Sequence, residues 1–352
     1  MTPLQRLAQR LDHTWPHLEK AEKRTVETQT KLRSLLQQEV PSDTSLVVFG
    51  SLARGEYTEG SDLDWTLLVD GQAHDSHFKS VQAITAILKR EGFGEPGPTG
   101  VFGNFAFSHP IVHQIGGQDD TNKNTTQRIL LLLESVALGR EDVHERVLRL
   151  VLSRYVEDDR GLRFSRKAKT KRIPRFLLND IVRYWRTVTV DFVYKQRERA
   201  DGWALRNAKL RMSRKLIFVS GLLTCFAPEL FAPPDETWMD ESGSVSITRI
   251  VQLLWERTRL SPLQQLAETA LRPSIEAETV HEIFDSYEAF LGVLANKEDR
   301  DHLKKLSFEE LGKSELFRHV SRISGSFQKG LNQLFFEKDD LLKELIRDYG
   351  VF

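Results

Sequence analysis

Val47-Val48-Phe49-Gly50-Ser51, followed after ten residues by Asp62-Leu63-Asp64-Trp65-Thr66-Leu67-Leu68-Val69, is the stretch whose reading decides the fold. The first five residues predict a strand that runs into a tight Gly-Ser turn. The second segment predicts a strand over 63–69 that carries two carboxylates. Asp62 and Asp64 alternate with apolar residues, so period-two geometry puts both on one face. An Asp-x-Asp pair alone would mean only a polar strand face. Two carboxylates facing a Gly-Ser turn at this gap mean more. Their hard oxygens suit Mg2+ or Mn2+, and the backbone N–H groups of the turn suit phosphate oxygens. Gly50 lets the backbone approach a triphosphate with no Cβ in the way. Ser51 offers its hydroxyl to a phosphate oxygen or caps the helix that follows.

Residues 3–39 lack glycine and place Leu4, Leu7, Leu11, Leu18, Leu32, Leu35 and Leu36 near helical spacing, with Pro16 dividing two helices. A helix is expected over 75–91, with Phe78, Val81, Ile84 and Leu88 on its apolar face and Gly92 as its stop. Residues 92–103 form a Gly/Pro-rich loop. Residues 105–115, broken by Pro110, predict one bent strand or two short ones, and Gly116-Gly117 a turn. From Thr121 onward every periodic segment reads as helix: 129–138, 141–156, 176–195, 205–225, 246–258, 263–270, 275–294 and 308–348.

The chain has 352 residues, enough for two or three domains. Its 50 basic and 50 acidic residues cancel, so the chain as a whole has no nucleic-acid charge signature. The single cysteine, Cys225, can form neither an internal disulfide nor a zinc cluster of thiolates, and its apolar surroundings predict a buried small hydrophobe in a reducing compartment. The segment 1–20 is polar and charged, unlike a signal peptide, and the longest apolar runs are too short or too interrupted to span a bilayer. A cytoplasmic protein with no membrane partner is expected.

The run Phe49-Gly50-Ser51-Leu52-Ala53-Arg54-Gly55-Glu56-Tyr57-Thr58-Glu59-Gly60-Ser61-Asp62-Leu63-Asp64 resembles the signature of the DNA polymerase β-like nucleotidyltransferase superfamily. The Arg54-Gly55 pair and Ser61 resemble its bacterial branch. The resemblance implies transfer of a nucleoside monophosphate from an NTP to an acceptor, with pyrophosphate released. It implies Asp62 and Asp64 as catalytic metal ligands for Mg2+ (or Mn2+), Gly50 and Ser51 on the β- and γ-phosphates, and Arg54 as a cation within reach of the phosphates.

Members of this superfamily carry a third carboxylate on a later strand. Here no Asp or Glu stands between Glu95 and Asp119. Ser108, His109 and His113 occupy the expected stretch. Three explanations are open. Asp119 or Asp120 enters the site from its loop, which makes Asp120 the third catalytic candidate. Alternatively two carboxylates suffice, with His109 or His113 as base or substrate contact. Or the fold serves binding, with little catalysis. Asp120-Thr121 also reads as a helix N-cap.

Thr125–Gly139 resembles the helix after the catalytic module in PII uridylyltransferases and glutamine-synthetase adenylyltransferases. Further on, Arg160, Arg163, Arg166, Lys167, Lys169, Lys171, Arg172 and Arg175 form a basic run, and Arg206, Lys209, Arg211, Arg214 and Lys215 a basic helix. These read either as a cationic wall for triphosphate or RNA, with Lys215 as a nucleotide contact, or as solvated faces paired with acids.

The expected fold is α+β: a small mixed β-sheet nucleotidyltransferase module flanked by helices, followed by a helical bundle domain. Its expected parts are N-terminal helices over 1–40, the catalytic module over 41–120, a helical domain completing the cleft over 121–230, and a C-terminal helical region over 231–352. The last offers no recognisable chemistry and leaves packing, substrate selection or a partner protein open. The expected acceptor is a protein or RNA, in a regulatory, toxin or phage-defence setting. The alternatives are a nucleotide second-messenger synthase, small-molecule adenylylation, and a catalytically weak nucleotide-binding pseudoenzyme.

Overall fold

Thr44-Ser45-Leu46-Val47-Val48-Phe49 (β1) and Trp65-Thr66-Leu67-Leu68-Val69 (β2) are buried at every position. Such β-branched and apolar runs need cover on both faces. A computed structural model of the chain describes residues 1–94, 102–157, 159, 162, 171–198, 202–231 and 246–350. β1 and β2 are the centre of a four-stranded sheet of order β3-β2-β1-β4. β1 pairs antiparallel with β2 (Val48 opposite Trp65) and with β4 (Ser135–Gly139), whereas β3 (Asn104–Phe107) runs parallel to β2. The sheet is thus mixed and the fold α+β, with 72% of the described residues helical.

The helices of the first half are α1 (Pro3–Leu11), α2 (Pro16–Leu36), α3 (Ser51–Arg54), α4 (Asp75–Arg90), α5 (Ser108–His113), α6 (Asn122–Leu133) and α7 (Glu141–Glu157). Leu46, Val48, Trp65 and Leu67 on one sheet face form a core with Leu32 and Leu36 of α2 and Val81, Ile84 and Leu88 of α4. Val47, Phe49, Thr66, Leu68 and Ala106 on the other face line a small apolar space with Ile111 of α5 and Leu131 of α6. Helices on both faces explain why the central strands show no polar alternation.

Several expectations need correction. The second strand begins at Trp65, so Asp62 and Asp64 lie in the segment leading into it. The stretch 105–115 is a short strand and a helix: β3 ends at Phe107, and α5 starts at Ser108 with Pro110 in its first turn, where no N–H is needed. The helix expected over 129–138 stops at Leu133, and Ser135–Gly139 becomes the edge strand β4, whose Leu138 joins the core. On α4, Phe78 is 57% exposed, and the neighbouring His77 is buried with Nε2 3.0 Å from the Asp43 carboxylate. Residues 95–101 of the expected Gly/Pro-rich loop fall outside the described residues.

By contact, the chain divides into two units: residues 1–20, 181–226 and 262–352, and residues 21–180 and 227–261. The second holds the sheet. The first is helical, and its core includes Phe284, Tyr287, Phe290 and Phe327. Gly330 there faces Ile283 so closely that a Cβ would come within 2.6 Å of Ile283 Cγ1. Cys225 is buried, and burial pushes its thiol pKa far up. Among the described residues no helix is long and apolar enough to cross a membrane.

Trp65 is 2% exposed at the centre of the sheet core. Trp65→Ala is expected to cost roughly 3–5 kcal/mol in urea unfolding, whereas Phe78→Ala on the exposed side of α4 stays within about 0.5 kcal/mol.

Candidate functional site

The site is built where β1 ends and β2 begins. Gly50 has φ +67° and ψ −147°, a conformation open to glycine and strained for residues with a Cβ. A Cβ on Gly50 would lie 3.4 Å from Asp64 Oδ2, so the carboxylate rests directly against the turn. The main chain fixes this juxtaposition: Phe49 N–H donates to the Asp64 carbonyl at 2.9 Å, one step beyond the ladder. Gly50 then starts α3, and its carbonyl accepts from Ala53 and Arg54 N–H at 3.1 and 3.0 Å.

Asp62 follows a second turn in which Ser61 N–H donates to the Thr58 carbonyl and Thr58 N–H to Ser61 Oγ, each at 3.1 Å. Between the two acids, Leu63 is buried in the core, while Asp62 is exposed and Asp64 half-buried. Leu63 therefore anchors the segment, and the carboxylates on either side of it face outward. The Tyr57 phenol is raised above its ordinary pKa by burial first; the Asp62 charge adds to this and Arg24 opposes it.

β3 brings a residue that the search for an acid passed over. Gly103 N–H donates to the Trp65 carbonyl at 2.8 Å, and Asn104 stands opposite Thr66. Phe105 packs on the α2/α4 face and Ala106 on the other. Alternation then puts Asn104 on the face shared by Thr66 and Asp64. The signal was present as an amide at the head of Asn104-Phe105-Ala106-Phe107.

Arg54 and Asp120 are both engaged in buried ion pairs. Arg54 contacts Glu56 at 2.8 Å and also Glu134, and all three side chains are at most 9% exposed. The pairs tie the end of α3 to the residue preceding β4. Asp120 accepts from Arg128 at 2.9 Å and from Gly116 N–H at 2.9 Å. Arg128, fully buried, also donates to Asp180 at 2.9 Å, to the Ile111 carbonyl at 3.2 Å and to the Tyr155 hydroxyl at 2.6 Å. Burial opposes the Arg128 charge, but Tyr155, Asp180 and Asp120 together hold its pKa above the ordinary arginine value. Thr121, next to Asp120, caps α6 by accepting from Asn124 N–H.

Ser108 donates to Asp70 at 2.6 Å, the other oxygen of Asp70 receives Arg146 at 2.7 Å, and the His109 and His113 rings lie 5.0 Å apart on α5. Lys215 belongs to the first unit, where its ammonium donates to Gln328; burial, then the Arg211 charge, lowers its pKa to about 8. Of the basic run, Lys171 and Arg172 pair with Glu229 and Arg175 with Asp159. Arg160, Arg163, Arg166, Lys167 and Lys169 lie outside the described residues.

The donor set at the turn suits a divalent cation and a triphosphate. Two hard carboxylates face outward beside a glycine whose missing Cβ leaves room against Asp64. Residues 30–92 match the family described as nucleotidyltransferase domain. The match takes in β1, the Gly50-Ser51 turn, both acids, β2 and α4; β3, α5 and everything after them lie beyond it. Comparison with curated proteins and with solved structures gives no match.

A buried histidine beside the site gives a pH dependence. His144 Nε2 lies 2.8 Å from Ser135 Oγ, joining α7 to the start of β4. Burial lowers its pKa from 6.5 to about 4, with the Glu145 charge partly opposing. Between these values the unfolded chain takes up the proton and the folded chain does not. Stability from this group is therefore complete above about pH 6.5 and declines toward pH 4, by at most ~1.4 kcal/mol per pH unit. His144→Gln is expected to flatten that slope in urea unfolding series from pH 7 to 4; an unchanged slope would assign the pH dependence to other groups.

Proposed function

We propose that residues 30–92, which match the family described as nucleotidyltransferase domain, form a DNA polymerase β-like catalytic module that transfers a nucleoside monophosphate from an NTP to a protein or RNA acceptor. In this reading the acceptor oxygen forms its bond to the α-phosphorus as the bond to the bridging oxygen breaks and pyrophosphate leaves. Asp62 and Asp64 hold the divalent cation, Mg2+ or Mn2+. Gly50 and Ser51 receive the β- and γ-phosphates, Gly50 by the absence of a Cβ and Ser51 by its hydroxyl. Bound there, the cation supplies charge neutralisation for the triphosphate and the leaving group. The observation that carries the reading is that Asp64 Oδ2 lies 3.4 Å from where a Cβ on Gly50 would stand, which puts a carboxylate beside a bare stretch of turn backbone.

Arg54 and Asp120 serve this site indirectly in our reading. Arg54, held between Glu56 and Glu134, fixes the exit of the turn. Asp120 holds Arg128 beneath α5. Asn104, whose Oδ1 accepts from Phe105 N–H at 2.8 Å, stands opposite Thr66 where a third carboxylate is expected. A carboxamide is neutral, so this centre carries one negative charge fewer than a three-acid site and holds a cation less tightly. That observation favours, as a second reading, a slow enzyme or a nucleotide-binding protein of the same fold.

Incubation of the purified chain with each labelled NTP, Mg2+ or Mn2+, and candidate acceptors tests the proposal. Label is expected on protein or RNA, with loss of roughly 100-fold or more in Asp62→Ala and Asp64→Ala. Asn104→Asp is expected to lower the metal concentration needed for half-maximal transfer. Absence of transfer from every NTP, together with nucleotide binding unaffected by Asp62→Ala, would sink both readings.

A further inference from the structure

A second group of metal-ligating side chains lies in the first unit and has no part in the chemistry above. Asp12 ends α1 in a left-handed conformation, with φ 48° and ψ 46°, and the chain turns through His13 and Trp15 into α2. The helix Ala277–Ala295 presents His281 and Asp285 to this turn, four residues apart and so on one face. His13 Nε2 lies 3.3 Å from Asp285 Oδ1, and His281 Nδ1 lies 3.1 Å from Asp285 Oδ2. One ligand atom from each of the three residues lies within 4.8 Å of the others, and the two imidazole rings stand at 89° with centroids 5.0 Å apart.

We propose that His13, His281 and Asp285 bind a first-row transition metal ion such as Zn2+, clasping the turn after α1 to the helix Ala277–Ala295. Three features support this. One nitrogen of each imidazole and one carboxylate oxygen gather within 4.8 Å of one another, from which small side-chain rotations reach the roughly 3.3 Å donor spacing of four-coordinate zinc with bonds of about 2.0–2.1 Å. The donor set, two imidazoles and one carboxylate, selects Zn2+ and its neighbours in the first row over Mg2+. The carboxylate is also oriented from outside the set: Trp15 Nε1–H donates to Asp285 Oδ1 at 2.8 Å, the kind of outer hydrogen bond that fixes a metal-bound ligand.

The three side chains are 39%, 38% and 47% exposed, which leaves a path for the ion and room for water at a remaining coordination position. Three protein ligands with water in the fourth position make a known zinc environment, the one catalytic zinc sites use. His13 is distant in sequence from the other two ligands, so the ion would stabilise the fold by linking its two ends. Binding to the folded chain alone raises stability by mass action. The rival account is a purely hydrogen-bonded trio in which Asp285 accepts from both imidazoles, and it predicts no dependence on metal.

The test uses the full chain without a polyhistidine tag, in an Asp62→Ala/Asp64→Ala background that removes the other carboxylate pair. After chelation and dialysis against Zn2+, elemental analysis is expected to find about one equivalent of zinc, and the melting temperature to rise by several degrees. His13→Gln and His281→Gln are each expected to lose both the zinc and the rise. Co2+ in place of Zn2+ is expected to give a visible absorption band that either substitution abolishes, a readout independent of stability. Absence of retained zinc in the parent protein would overturn the proposal. So would zinc that persists unchanged in both histidine variants.

Discussion

Phe49 gives its backbone N–H to the carbonyl of Asp64, and that one bond continues the β1–β2 ladder past the end of the strands and into the site. The proposed nucleotide and metal site depends on it. The bond sets the height of Asp64 relative to Gly50, and the positive φ of Gly50 turns the chain away before a side chain could fill the gap. Below the bond, Leu63 and Trp65 are buried in the same core and hold the acidic segment at a fixed depth. Asp62 and Asp64 are thus positioned by backbone pairing and apolar anchoring, which cost no flexibility in the acids themselves. Sites placed on a paired backbone hold their geometry better than sites on free loops.

Buried ion pairs form the scaffold around this core. Arg54 is shared between Glu56 and Glu134, and Arg128 between Asp120 and Asp180 with the Tyr155 hydroxyl alongside. Clusters like these add little net stability compared with a well-packed apolar equivalent, but removing one member leaves a buried charge uncompensated. They therefore fix geometry. The Arg54 cluster joins α3 to the start of β4, and the Arg128 cluster joins α6, α7 and the carbonyl of Ile111 in α5. Arg54 lies within the signature itself, where a cation is easily read as a phosphate contact. The acidic partners of the two arginines at 134 and 180 lie too far along the chain for sequence to announce the pairing.

The elements that sequence made legible are those whose information is local. The Gly-Ser turn, the alternation of Asp62-Leu63-Asp64 and the apolar runs of β1 and β2 all declare themselves within a few residues. β4 did not, because residues 129–133 and 136–138 are apolar runs parted only by Glu134-Ser135, and periodicity alone does not separate a buried helix from a buried strand. Its break at Glu134 is set by pairing with β1 and by the ion pair to Arg54. α5 was hidden for a related reason: Pro110 looks like a breaker in a strand and is harmless in the first turn of a helix. Asn104 was missed because the search was for an acid, and its place beside Thr66 follows only from the parallel register of β3. The His13, His281 and Asp285 group comes from opposite ends of the chain and has no sequence signature at all.

The claim at the centre of this account is that the Gly50-Ser51 turn and the two acids form one nucleotide and metal site. A crystal structure of the chain grown with Mn2+ and a non-hydrolysable NTP analogue tests it most directly, because anomalous scattering locates the ion independently of the nucleotide. Manganese is expected on the carboxylates of Asp62 and Asp64, with the triphosphate against Gly50 and Ser51. Nucleotide bound elsewhere, or manganese that avoids both carboxylates while nucleotide is present, would contradict it.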